Sequence, residues 1–203
     1  MQYDEWFNVL LNSDNLKNVC FTNKNTIKIC SDKQFWIEKF NHDDLTIINP
    51  GNTINEWITE YNRVLVTTEL VEKLLALLKS EHEQSGKRIE INFPFNPEDN
   101  LHNIITEEIV DYLIYSGPSQ AQRENIELKI ITFILYDNNQ HDMAYSFWKN
   151  NDYAYSAWDE NLSLDEVKHI MINIFYHYPN IYPYDNYMSH RMIDTVNYYF
   201  NRA

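Results

Sequence analysis

The sequence predicts an α+β fold, in which N-terminal helices precede a largely antiparallel sheet of about four strands with flanking helices. Apolar residues recur at helical spacing until Gly86 and alternate with polar residues from Ile89 onward. Two similar aromatic segments, beginning at Ala144 and Ala154, lie ten residues apart and predict a hairpin. The turn signal at residues 49–51 divides the chain into a helical module at 1–48 and an α+β domain at 49–203.

Composition favours a folded, soluble chain. Of the 203 residues, 44% are apolar and 15% aromatic, which is enough for a sizeable core. The net charge of −14 disfavours nucleic acid as a partner. No signal peptide or bilayer-spanning apolar run is evident, so we expect an intracellular protein with no membrane partner. Cys20 and Cys30 are then expected to be reduced, buried, small apolar groups.

Three short helices are predicted in the first 45 residues. The first runs from Gln2 to Leu11, and a second follows the cap residues at 12–14. The third begins near Asn25, and a capping box formed by Ser31 and Gln34 restarts it. Trp36 is expected to be structural and to close these helices against one another.

Further elements follow the turn at residues 49–51. A capping box of Thr53 and Glu56 begins a helix to Leu65, and a longer helix starts at Thr68 and ends before Gly86. An edge strand containing Pro94 and a central, well-covered strand are the main sheet elements. In order, the remaining predictions are a helix at Thr106–Tyr115, the central strand at Ile126–Tyr136, a hairpin loop at residues 149–152, a helix from the Ser163 and Glu166 capping box to about Tyr178, and a final helix after Ser189.

A family resemblance covers about a fifth of the chain. An amphipathic helix is followed by a Leu-x-x-Val-Cys segment, an Asn-Lys pair, a second Cys, an Asp and a Phe-Trp dipeptide. These are Leu16, Val19 and Cys20, then Asn23-Lys24, Cys30, Asp32 and Phe35-Trp36. The order resembles the F-box-like N-terminal module of giant and other large DNA viruses. The Leu-Pro pair that usually opens a cellular F-box is absent.

The resemblance implies a viral adaptor in the host cytoplasm that docks a Skp-family linker of a ubiquitin ligase and recruits a target. Three short helices expose apolar surface that a partner would cover. The candidate partner-binding residues are Trp6, Phe7, Leu10, Leu11, Leu16 and Val19. Tyrosine is favoured at interfaces, so a Tyr-rich stretch is a candidate target-binding surface: Tyr178, Tyr182, Tyr184 and Tyr187.

Catalytic and cofactor motifs are not found in the sequence. His169 and His177 share a helix face but are two turns apart and cannot chelate one ion alone. Three isolated glycines form no phosphate loop. We therefore expect no metal, no cofactor and no enzymatic activity. Two alternatives stay open: a structural or interaction protein whose F-box-like helices belong to one compact fold, and an acidic mimic of nucleic acid.

Overall fold

The computed structural model describes residues 3–85, 89–94, 126–135, 141–149, 152–179 and 198. The chain divides into two compact units, Met1–Glu69 and Leu70–Arg202. The described elements are helices followed by a four-stranded antiparallel sheet and a further helix, which confirms the predicted α+β class. The predicted helix at Thr106–Tyr115 and the final helix after Ser189 lie outside the description, apart from the single residue Tyr198.

The first unit contains four short helices where three were predicted. They are α1 (Tyr3–Leu11), α2 (Leu16–Val19), α3 (Lys24–Cys30) and α4 (Lys33–His42). A new helix does begin where the restart was predicted, but Ser31 is not its cap. Ser31 ends α3, and its hydroxyl donates to the Ile27 carbonyl at 2.7 Å. Asp32 caps α4 instead, and its carboxylate accepts from the Gln34 amide at 2.9 Å.

One long helix, α5 (Ile54–Ser85), replaces the two helices predicted after the turn. Thr67 and Thr68 resembled a new N-cap, but no Gly or Pro interrupts the chain between Gly51 and Gly86. The Thr67 hydroxyl donates to the Arg63 carbonyl at 2.8 Å, so it bonds within the helix and does not begin a new one. The cap at Thr53 is present, since its hydroxyl accepts from the Glu56 amide at 3.2 Å.

The second unit contains an antiparallel meander in the order β1-β2-β3-β4. The strands are β1 (Ile89–Pro94), β2 (Ile126–Leu135), β3 (His141–Lys149) and β4 (Asp152–Leu162). Within the described sheet, Pro94 lies on an edge strand and β2 is central, as predicted. The pairing of Lys149 with Asp152 confirms the predicted hairpin.

Helix α6 (Leu164–His177) begins at the predicted capping box of Ser163 and Glu166. Its apolar stripe is buried, and Phe175 packs against Phe93 with ring centroids 5.4 Å apart. Phe93 also contacts Phe133 of β2 at 5.6 Å. Because side chains alternate along a strand, these contacts identify one face of the sheet as the core of this unit.

Candidate protein-binding site

The first unit holds the residues predicted to bind a partner, and they differ in accessibility. Leu10 and Leu16 are 0% and 2% exposed. Their assignment to a docking surface is corrected: they lie in the core, because each is the buried residue through which its helix packs on the rest of the unit. The other four candidates are half-buried: Trp6, Phe7, Leu11 and Val19.

Helix α1 presents two different edges beside its buried stripe. On one edge, the Phe7 ring contacts Phe35 of α4 at 5.5 Å, edge to face. On the other edge lie Trp6 and Val9, which are neighbours at a spacing of three residues. Val9 is 42% exposed. Tyr3, which is 45% exposed, lies on the Phe7 edge, where the two ring centroids are 6.4 Å apart. The Trp6 and Val9 edge is therefore an accessible apolar part of α1.

Cys20 and Cys30 form a disulfide, with Cα atoms 5.8 Å apart. The prediction that both are reduced is wrong, whereas their predicted burial is confirmed at 0% exposure each. The error has a physical reason: with only two cysteines, a spacing of ten residues does not reveal that α2 and α3 end side by side. The bridge links the C-cap of α2 to the last residue of α3.

The residues that carry the family resemblance are used as caps and core. Asn23 caps α3, and its side chain accepts from the amides of Asn25 and Thr26 at 2.9 and 3.1 Å. The Thr26 hydroxyl accepts from the Asn23 amide, which completes a capping box. Asp32 caps α4. Asn23, Thr26 and Asp32 therefore help to fix how the helices are arranged.

Trp36 is a structural residue, as predicted, and its contacts join α4 to the end of α3 and to α5. It is 0% exposed, and its indole N–H donates to the Cys30 carbonyl at 2.8 Å. Its ring stacks on Trp57 of α5 with centroids 5.7 Å apart and contacts Phe35 at 5.2 Å. Buried aromatic pairs of this kind add stability beyond the area that they bury.

A buried ionic cluster, which the sequence analysis missed, joins three helices of this unit. Lys39 is 1% exposed, and its ammonium donates to the Leu11 carbonyl at 2.8 Å and pairs with Asp43 at 2.7 Å. It lies 5.1 Å from the centre of the Tyr61 ring. The Tyr61 hydroxyl donates to Asp43 at 2.5 Å, and His42 lies 2.7 Å from the other carboxylate oxygen.

The cluster shifts the pKa of two of its groups. Burial raises the pKa of Asp43, but the hydrogen bonds from Lys39, Tyr61 and His42 outweigh it, and the net pKa is lowered. The pKa of Tyr61 is raised well above its ordinary value, first by burial and then by the Asp43 carboxylate that its hydroxyl faces. All polar atoms named here have partners within the cluster, so its role is structural.

Two exposed apolar side chains were also missed. Phe21, in the turn before α3, is 46% exposed, and Ile27 on α3 is 41% exposed. Neither belongs to a predicted apolar face, and a single exposed apolar residue carries no sequence signal. Local charge is the sequence feature that could have drawn attention to them, since Lys17, Lys24 and Lys28 surround them in a segment with no acidic residue.

Of the four tyrosines predicted to bind a target, Tyr178 is the one that the structure describes. Tyr178 is half-buried at the C-cap of α6, where its amide donates to the Ile174 carbonyl at 2.8 Å. The other three, Tyr182, Tyr184 and Tyr187, lie outside the described residues.

In the part of the chain that the structure describes, no three or more His, Cys, Asp or Glu side chains are grouped so as to hold a metal ion. Over the same residues, none of the helices combines the length and the apolar character needed to cross a bilayer.

Comparison of the chain with protein-family models, with curated proteins and with solved structures finds no match.

Proposed function

We propose that this protein is a non-enzymatic interaction adaptor. Its N-terminal helical unit docks a partner protein, and its α+β unit, with Tyr178 and the tyrosines that follow it, recruits a target. By the resemblance, the partner is a Skp-family linker of a host ubiquitin ligase, and the site of action is the host cytoplasm.

The observation that carries this proposal is the exposed apolar edge of a firmly packed unit. Trp36, Phe35 and the Lys39 cluster hold the helices together, whereas Val9, beside Trp6 on α1, remains more than two-fifths exposed. Exposed apolar residues on a rigid helix, next to a half-buried Trp, form the kind of surface that partner helices bind.

Replacing Val9 with Asp is expected to weaken linker binding by about tenfold or more, because a charge would be desolvated at the interface. Binding of the full chain to an immobilised Skp-family linker measures this effect. Asn8→Asp is the matched control, since Asn8 is also exposed on α1 and the charge change is identical. Unchanged binding by Val9→Asp, or equal losses in both variants, would contradict docking through this edge. Failure of the wild-type chain to bind would remove the ubiquitin-ligase link.

A second candidate is an interaction protein in which the F-box-like helices are part of one compact unit. It is favoured by the connector at residues 49–51, which is packed on α5. The Asn49 amide donates to Glu60 at 2.8 Å, and a Cβ added to Gly51 would lie 2.6 Å from the Trp57 nitrogen. The predicted domain boundary at residues 48 and 49 thus lies inside the first compact unit, Met1–Glu69, and stays a prediction.

Limited proteolysis of the native full chain distinguishes these two candidates. If the connector is held on α5, residues 49–51 are expected to resist cleavage under conditions that cut exposed loops, because a protease needs an extended, unpaired backbone. Gly51→Ala forces the connector away from Trp57, and cleavage there should become faster. Rapid cutting of the wild-type chain at residues 49–51 would instead support a separate module that ends at residue 48.

A further inference from the structure

Charge is distributed unevenly along this acidic chain. Residues 15–31 contain three of the 16 basic residues and none of the 30 acidic residues, so this segment carries +3 and the remainder carries −17. The segment comprises α2, the turn after it and α3. A positively charged patch on a negatively charged protein favours acidic partners. Such a partner must be small enough not to be repelled by the negative charge of the rest of the chain.

The side chains of α3 divide cleanly between inside and outside. Thr26, Ile29 and Cys30 are each 0% exposed. The opposite side holds Lys24, Ile27 and Lys28, which are all exposed and lie at spacings of three and four residues, so they share one face. The turn before α3 adds Phe21, and α2 adds Lys17, both exposed. We call these five residues the α2–α3 face: Lys17, Phe21, Lys24, Ile27 and Lys28.

The backbone under this face is held in place from both ends. The disulfide joins Cys20 to Cys30 and closes the loop that carries four of the five residues. Within the loop, Asn23 and Thr26 form the capping box, and Trp36 bonds the Cys30 carbonyl. Little conformational entropy of the backbone would be lost on binding, which favours affinity.

We propose that the α2–α3 face binds an acidic amphipathic segment of a partner protein. Phe21 and Ile27 would cover apolar side chains of that segment, and the three lysines would pair with its carboxylates. Extended polyanions such as nucleic acids, and anionic bilayers, fit less well, because they would meet the −17 charge of the remaining chain. The inference deepens the proposed adaptor function, on which it rests, by naming the chemistry of a partner.

The probe is a helical peptide of about 20 residues, long enough to be helical in part, with Leu along one face and Glu beside it. Its two comparison peptides replace Glu by Gln or Leu by Ser. Binding to the native full chain is followed by fluorescence anisotropy. The wild-type chain is expected to bind the Glu and Leu peptide at least about tenfold more tightly than either comparison peptide, and salt should weaken that binding.

Lys24→Glu combined with Lys28→Glu is expected to reduce peptide affinity by at least about tenfold. Phe21→Ser should reduce it by several-fold through the lost apolar contact. The matched control is Lys73→Glu with Lys79→Glu, which makes the same charge change at exposed positions of α5 and should leave affinity within about twofold. Circular dichroism confirms that each variant is folded.

Equal binding of the three peptides, or equal losses in the α2–α3 and control variants, would overturn the proposal. So would binding to phosphatidylserine vesicles that matches or exceeds peptide binding and depends on the same lysines. The two surfaces are tested by different variants, because Val9→Asp reports on linker binding through α1 and Lys24→Glu with Lys28→Glu reports on peptide binding. If linker binding fails while peptide binding and its lysine dependence persist, the ligase link falls and the α2–α3 face remains.

Discussion

Reduction of the Cys20–Cys30 disulfide is expected to lower the free energy of unfolding of the N-terminal unit by about 3 kcal/mol. The bridge closes a loop between residues ten apart in sequence, and a loop of this length removes about that much chain entropy from the unfolded state. The loss should be large for this unit, because four short helices have little core of their own and Cys20 and Cys30 are both fully buried in it.

Hydrogen exchange of the full chain, with and without a reductant, measures this effect by region. Peptides from residues 3–42 should lose protection on reduction, whereas peptides from β2 and α6 should not. Cys20→Ala with Cys30→Ala is the control, since its exchange should not respond to the reductant. An unchanged exchange pattern in the reduced wild-type chain would show that the bridge contributes no stability.

The same disulfide bears on the proposed location. Disulfides persist mainly in oxidising compartments, and cytosolic thiols are kept reduced. Trapping thiols by alkylation inside host cells, followed by mass measurement of the intact chain, reports which state is present. Two alkylated thiols would agree with action in the host cytoplasm. A chain that is lighter by two hydrogens and carries no alkyl group would contradict it.

Patterns that repeat along the sequence predicted the fold well. The change from helical spacing to alternation located β1, and the edge position of Pro94 followed from its missing amide hydrogen. The Ser163 and Glu166 capping box located the start of α6. Boundaries were less certain where neighbouring residues compete for one role, as when Asp32 and not Ser31 capped α4.

Features that depend on tertiary proximity were missed. The disulfide requires two helix ends to meet, and Lys39 requires the Leu11 carbonyl, Asp43 and Tyr61 to converge from different elements. Lys39 did carry a local signal, since it lies at helical spacing with Phe35 and Trp36 on the buried side of α4. Similarly, Leu10 was a core residue with the same local pattern as a docking residue, and periodicity alone does not separate the two.

Replacing Asp43 with Asn is expected to destabilise the first unit by about 2–3 kcal/mol. The Lys39 side chain is only 2% exposed and Asp43 is 20% exposed, so removal of the carboxylate leaves a buried ammonium without its counter-charge. This is at or below the lower end of the usual range of about 3–5 kcal/mol for a broken buried pair, because Asp43 is partly hydrated and the Leu11 carbonyl still accepts from Lys39.

The pH dependence of stability follows from the two shifted groups. Because the pKa of Asp43 is lowered by folding, its contribution is present above the ordinary Asp value near 4 and is lost as pH falls through the folded-state value. Because the pKa of Tyr61 is raised, its contribution is present below about pH 10 and is lost as pH rises above that value. Asp43→Asn should therefore reduce the loss of stability at acid pH, and Tyr61→Phe should reduce the loss of stability at alkaline pH.

Urea unfolding of the full chain at several pH values tests both the effect of Asp43→Asn and the pH dependence of stability. Unfolding of the first unit is monitored by hydrogen exchange in residues 3–69. Asp44→Asn is the matched control, because it makes the same charge change one residue away at an exposed position, and Asn tolerates the positive φ of 54° found there. A double-mutant cycle with Lys39→Met should give a coupling energy of about 2 kcal/mol with Asp43, since loss of both charges leaves neither unpaired. Equal effects of Asp43→Asn and Asp44→Asn would mean that long-range charge, and not the buried pair, governs the stability of this unit.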